Sequence, residues 1–152
     1  MSRELEGFFP NLAGSGYEIT GEASREYNCI AWVLGMSHQN WDCYDPDGYW
    51  PPAIPRDDLI VTVVQLFAGE GFSLCDNDAP EPGYEKIALY AFVGRFTHAA
   101  KQLNDGQWTS KLGKREVITH PSPTSLVGGF LAKSTASCAV RILPYELCRL
   151  SC

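Results

Sequence analysis

Apolar positions along the chain fall into two short stretches of helical period, followed by stretches of period two. Ile30, Val33 and Leu34 sit at i, i+3 and i+4, so residues 29–35 read as a short helix with one apolar face, stopped by Gly35. Ile60, Val63, Val64 and Phe67 repeat the spacing. They predict a second helix that begins near Arg56-Asp57-Asp58, where acidic residues suit the positive end of the helix dipole, and stops at Gly69 or Gly71. After that the period changes. Over residues 85–92, Ile87, Leu89 and Ala91 alternate with Ala88, Tyr90 and Phe92, which predicts a strand buried on both faces. Residues 96–103 and 107–112 flank Asn104-Asp105-Gly106, a hairpin pattern, and residues 137–143 form a last strand. The remainder is less regular. Residues 1–25 carry Gly7, Pro10, Gly14, Gly16 and Gly21 and read as an irregular lead-in, and residues 37–55 form a long loop rich in aromatics and proline. Two helices followed by antiparallel strands give an α+β domain, N-terminal helices packed on an antiparallel β-sheet, spanning 1–152 as a single unit.

Composition narrows the functional classes. At 152 residues, with 45% apolar and 20% charged residues, the chain buries a sizeable core without staples. A net charge of −6 speaks against a nucleic-acid or anionic-membrane surface. Met1-Ser2-Arg3-Glu4-Leu5-Glu6 leads into no apolar run, and no window reaches the length of a membrane helix, so a cytoplasmic location is expected unless export ignores N-terminal signals. Without an export signal, the six cysteines are expected as reduced thiols. Neither Cys148 and Cys152 nor His38 and Cys43 have the Cys-x-x-Cys spacing of a structural zinc site. Asp45, Asp47 and Gly48 lack the remaining ligands of a calcium loop, and Gly128-Gly129 starts no phosphate cradle. No cofactor and no metal are expected.

The candidate chemistry lies in Cys29 and His98. A thiol at the start of a helix meets unpaired N–H groups and a partial positive charge, which favour a thiolate and stabilise an oxyanion after attack on a carbonyl. Cys75 and Cys138 lie in strand-like segments without that help. His98 shares a strand face with Phe96, Ala100 and Gln102, and its small neighbours leave the imidazole room to project. The group that orients the imidazole depends on the hairpin. With a two-residue loop, Asn104 pairs with Gln107 and His98 shares a face with Thr109 and Lys111. With a three-residue loop and Gly106 in a left-handed bulge, Leu103 pairs with Gln107, and Ser110 stands opposite Ala100 and diagonal to His98. The second register is favoured, because Trp108 and Leu112 then shield the site. Gln102, His120 and a backbone carbonyl remain alternatives to Ser110.

These segments resemble the NlpC-like branch of the papain-like cysteine peptidases. In that family a cysteine opens a helix, a strand led by Pro-Gly-Asp follows, and the next strand is headed by histidine. A Gly-containing turn leads to a third polar residue twelve positions after the histidine. Here the order is Tyr27-Asn28-Cys29-Ile30-Ala31-Trp32, then Glu81-Pro82-Gly83-Tyr84 before the strand, then Thr97-His98-Ala99-Ala100, the turn, and Gln107-Trp108-Thr109-Ser110. His98 plus twelve is Ser110. The resemblance covers about a third of the chain, residues 27–36 and 81–113, as an order of elements rather than of identities. Two departures, Asn28-Cys29-Ile30-Ala31 in place of Asp-Cys-Ser-Gly and serine in place of histidine or an amide, speak against peptidoglycan as the substrate. The same segments also look like an uncharacterised bacterial domain family.

The resemblance implies a papain-like fold and a hydrolase that cleaves an amide (peptidase, amidase or deamidase), with Cys29 as nucleophile, His98 as base and Ser110 as orienting residue, and a peptide or amide substrate as partner. The competing expectation is a catalytically silent binding module on the same fold. In that case the aromatic loop (Trp41, Tyr44, Tyr49, Trp50) would be its contact surface. As an alternative to lining a groove, the same loop packs as a lid over the helix pair, and packing is favoured because most aromatics are core.

Overall fold

The computed structural model describes residues 2–127 and, as backbone only, 135–142. Cys148, Cys152 and Gly128-Gly129 lie outside the described residues. Among the described residues, three helices, α1 (Arg3–Phe8), α2 (Cys29–Val33) and α3 (Ile60–Gly69), accompany seven strands: β1 (Glu18–Gly21), β2 (Ser73–Cys75), β3 (Tyr84–Phe92), β4 (Arg95–Gln102), β5 (Trp108–Lys111), β6 (Val117–His120) and β7 (Thr135–Ile142). The strands form one sheet in the order β1-β6-β5-β4-β3-β7-β2, with every neighbouring pair antiparallel. The α+β class and the packing of helices on an antiparallel sheet follow from this arrangement. Among the described residues no helix is long and apolar enough to cross a membrane.

Period-two alternation gives the sheet two apolar faces, and each is covered. Ile87, Leu89 and Ala99 pack with Ile30, Val33, Val63 and Phe67, so α2 and α3 cover one face. Ala88, Tyr90, Ala100, Trp108 and Ile118 pack on the other face with Leu5, Leu12 and Leu126. Strand β3 is therefore buried on both sides, as its sequence predicts.

The lead-in is more ordered than the sequence reading expects. Ser2 caps α1, its hydroxyl accepting from the Leu5 amide at 3.3 Å, and Leu5 and Leu12 are fully buried in the second core. Gly14 and Gly16, at φ 73° and 82°, and Pro10, which opens a short 3-10 turn, shape the chain around these anchors, while Gly7 is accommodated within α1. Helix α3 begins at Ile60, later than expected, because the acidic pair before it has other partners. Asp57 accepts from the Leu59 amide in a local turn, and Asp58 pairs with Arg95 and with the Tyr44 hydroxyl.

The hairpin closes in its three-residue form. Leu103 N–H donates to the Gln107 carbonyl at 2.7 Å, Gly106 N–H to the Leu103 carbonyl at 3.0 Å, and Gly106 sits at φ 87°. The β4–β5 ladder runs through Gln102↔Trp108 and Lys101↔Thr109, near the turn. Loop 37–55 is packed down: Trp41, Cys43 and Trp50 are buried against α2 and α3, Trp50 Nε1 donates to the Pro55 carbonyl, and Arg56 Nε to that of Cys43. Cys29 and Cys43 are free thiols, but Cys75 is disulfide-bonded, which corrects the expectation that all six are reduced. Cys75 stands directly across from Cys138 in the β2–β7 register, a pairing of strands remote in sequence that spacing alone does not reveal.

Candidate functional site

Asn28 sets the position of Cys29. Its Oδ1 accepts from the Ala31 amide at 3.2 Å, which caps α2, and from the Trp41 amide at 3.2 Å. Its Nδ2 donates to the Trp41 carbonyl at 2.8 Å. One side chain thus starts the helix and ties the aromatic loop to it. Gly35, at φ 81°, ends the helical segment. Cys29 is the first residue of α2 and is 9% exposed. The Ala99, Ile30 and Cys29 amides face its sulfur, and the Lys111 ammonium adds a favourable charge.

Those groups are outweighed. Burial pushes the Cys29 thiol up to about 11, so the expected lowering of its pKa does not hold in this state. A helix of only five residues contributes a short dipole, and the surrounding core withholds the water that would solvate a thiolate. Lys111 is itself fully buried. It donates to the Ser24 and Gly113 carbonyls and lies 4.9 Å from the centroid of the Tyr27 ring, and burial lowers its pKa, against the opposing influence of Cys29 and Glu116.

His98 is 6% exposed and pairs across the ladder with Tyr90, their ring centroids 5.3 Å apart. Its Nε2 lies 3.0 Å from Ser110 Oγ. Ser110 Oγ is 2.8 Å from His120 Nε2, and His120 Nδ1 is 2.8 Å from the Ser122 carbonyl. Burial pushes His98 down to about 3, helped by the proximity of His120, and pushes His120 down to about 4 against the effect of the Ser122 carbonyl. Both rings are therefore neutral near neutral pH.

The structure brings His98, Ser110 and His120 together. Gln102 points elsewhere, donating to the Asp78 carbonyl at 2.5 Å, and Thr109 accepts from Trp32 Nε1 at 3.1 Å on the α2 side. Cys29 reaches β4 at Ala99, the residue after His98, but from the other side of the sheet. Its cluster contains Ala99, Ile87 and Leu89, whereas the His98 ring packs on Tyr90, which belongs to the second core. Thiol and imidazole thus flank consecutive residues of β4, beyond the end of the β4–β5 ladder, rather than facing each other across an open cleft.

A cavity of about 200 Å³ opens beside Cys29, lined by Asn28, Ile30, Trp41, Trp50 and Phe96 among others. The aromatic loop therefore does two things at once: its tryptophans are core, and their inner edges wall this cavity. Among the described residues, no group of three His, Cys, Asp or Glu side chains is placed to hold a metal ion. Residues 18–136 match the model of a family described as Domain of unknown function (DUF7689), a span that includes Cys29, His98, Ser110 and His120. No curated protein and no solved structure matches the chain.

Proposed function

The chain belongs to the DUF7689 family, and we propose that it is a thiol hydrolase acting on an amide bond, as a peptidase, amidase or deamidase, on a papain-like scaffold. One observation carries the reading: the Cys29 sulfur lies against the Ala99 amide, next to His98, whose ring is itself held by Ser110. The order of α2, β3, β4 and β5, with cysteine heading the helix, histidine on the second strand and a polar partner on the third, supports the papain-like assignment.

In this mechanism Cys29 Sγ attacks the substrate carbonyl carbon while its proton passes to His98 Nδ1. The carbonyl π electrons move onto oxygen, and the resulting oxyanion accepts from the Cys29 backbone N–H. Collapse breaks the C–N bond, the leaving amine takes the proton from His98, and a thioester remains. Water, deprotonated by His98, then releases the acid and restores the thiol. With the thiol near 11 and the imidazole near 3, the resting pair is neutral, so the proton moves during attack and not before it. Thiol and ring stand on different sides of β4, so the transfer requires substrate binding to bring them together past the end of the β4–β5 ladder, where no strand pairing to β5 intervenes. A cavity of about 200 Å³ walled by Trp41, Trp50 and Phe96 suits an apolar group beside the scissile amide. The partner is a peptide or other amide substrate, with no nucleic acid, in keeping with the net charge of −6.

Limited iodoacetamide labelling at pH 7 with peptide mapping tests this. Cys29 is expected to react ahead of Cys43, the other buried free thiol among the described residues, and His98→Ala is expected to slow Cys29 and leave Cys43 unchanged. Equal labelling of the two, unaffected by His98→Ala, would end the hydrolase reading. The second reading, a silent binding module, is favoured by the burial of Cys29 and its raised pKa, and it requires that equal outcome.

A further inference from the structure

His98 is held by a chain of groups that ends on a backbone carbonyl, and that end fixes every proton in the chain. The Ser122 carbonyl can only accept, so His120 Nδ1 carries the hydrogen between them. In a neutral imidazole Nε2 is then a lone pair. The Ser110 hydroxyl must therefore donate to His120, across 2.8 Å. A hydroxyl has one proton, so the remaining bond runs the other way: His98 Nε2–H donates to Ser110 Oγ at 3.0 Å. That leaves Nδ1 of His98 as the unprotonated nitrogen.

We propose that His120 is a positioning residue for His98, acting through Ser110 to hold the imidazole in the one tautomer whose Nδ1 is a base. The use of that Nδ1, to take the Cys29 proton, rests on the hydrolase reading; the fixing of the tautomer does not. A serine alone cannot do this. Its hydroxyl rotates and either donates or accepts, so it tolerates both tautomers of a neighbouring histidine. With His120 pinned by a carbonyl behind it, only one direction remains. Burial favours neutral rings at both positions, which the argument requires. Tyr90, the other polar ring beside His98, donates its hydroxyl to the Pro123 carbonyl at 2.6 Å and does not compete. Ser110 and His120 are both fully buried, which keeps bulk water from supplying alternative partners. The relay also accounts for a serine where the resembling family carries histidine or an amide: the ring is still present, one strand further on, in β6.

Long-range ¹⁵N–¹H correlation spectra of the intact protein at pH 7 read the tautomers directly. His98 is expected as the Nε2–H form and His120 as the Nδ1–H form. Finding His120 protonated at Nε2, or His98 at Nδ1, would overturn the proposal. Two variants extend the test. His120→Gln sets an amide oxygen where Nε2 accepts, so it is expected to keep the His98 tautomer and to leave Cys29 alkylation within about threefold of the parent. His120→Phe removes the acceptor; His98 should become a tautomer mixture and Cys29 should react on the order of tenfold more slowly, with Cys43 unchanged. A single His98 tautomer in folded His120→Phe would overturn the relay; if that variant does not fold, the parent spectra and His120→Gln decide. If the parent shows these tautomers while Cys29 reacts no faster than Cys43, the relay stands and the hydrolase reading falls.

Discussion

Asn28 carries more of the site than its size suggests. Its amide caps α2, accepts from the Trp41 amide and donates to the Trp41 carbonyl, so three hydrogen bonds from one residue fix both Cys29 and the aromatic wall of the cavity. Asn28→Ala is expected to destabilise the fold by on the order of 2 kcal/mol, the loss of a cap plus buried amide partners. Asn28→Asp keeps both acceptor bonds and loses only the donor, so a smaller loss is expected. Urea denaturation of the three proteins measures both, and equal stabilities would show that the cap and clamp contribute nothing. At this scale the sequence was informative about identity and silent about environment. The meeting of His98 with Ser110 could be anticipated from hairpin register, because register depends on neighbours in the chain; the placement of Cys29 on the other side of β4 could not. The raised Cys29 pKa could not, because it comes from a core assembled from α3, loop 37–55 and β3. His120 is less legible: Val117-Ile118-Thr119-His120 has strand composition, but its ring meets Ser110 only through the β5–β6 register.

Among the elements, the β4–β5 hairpin decides the most, because a one-residue slip would turn Ser110 to the opposite face. Gly106 secures the register: at φ 87° it occupies the left-handed region, and a Cβ there would lie 3.1 Å from Pro80 Cγ. Gly106→Ala is expected to cost about 1–2 kcal/mol in stability, whereas Gly106→Asn, a residue more tolerant of that conformation, is expected to cost less. Thermal melts rank the variants, and the His98–Ser110 hydrogen bond should persist wherever the register does. An alanine variant as stable as the parent would mean that the loop closes without the left-handed residue. The turn was legible from Asn104-Asp105-Gly106 because turn chemistry is local. The start of α3 was not, since Asp57 and Asp58 are drawn to a turn and to Arg95, and the latter lies on a distant strand. Nor were α1 and the 3-10 turn after it, where sparse glycines and a proline hid a Ser2 cap and two core leucines, Leu5 and Leu12.

For the molecule as a whole, the placement of His98 and His120 links the site to stability. Both rings are neutral in the fold, with pKa values near 3 and 4, against an ordinary value near 6.5. As pH falls through 6.5, the unfolded chain takes up protons that the folded chain refuses. Stability is therefore fully present above that point and declines as the pH drops toward 4. Each ring contributes a slope of at most about 1.4 kcal/mol per pH unit, so acidification from pH 7 to pH 5 should remove on the order of 2 kcal/mol per ring. Glu4, paired with Arg115, has its pKa held below the usual carboxylate value and titrates below this window. Urea midpoints at pH 7, 6 and 5 measure the slope. The double variant His98→Gln/His120→Gln should be flatter than the parent across the same range, whatever its absolute stability, because it has no imidazole at either position. A parent whose midpoints do not move between pH 7 and pH 5 would mean that the rings accept protons in the folded state. The neutral resting pair and the carbonyl-anchored relay would then both lose their basis.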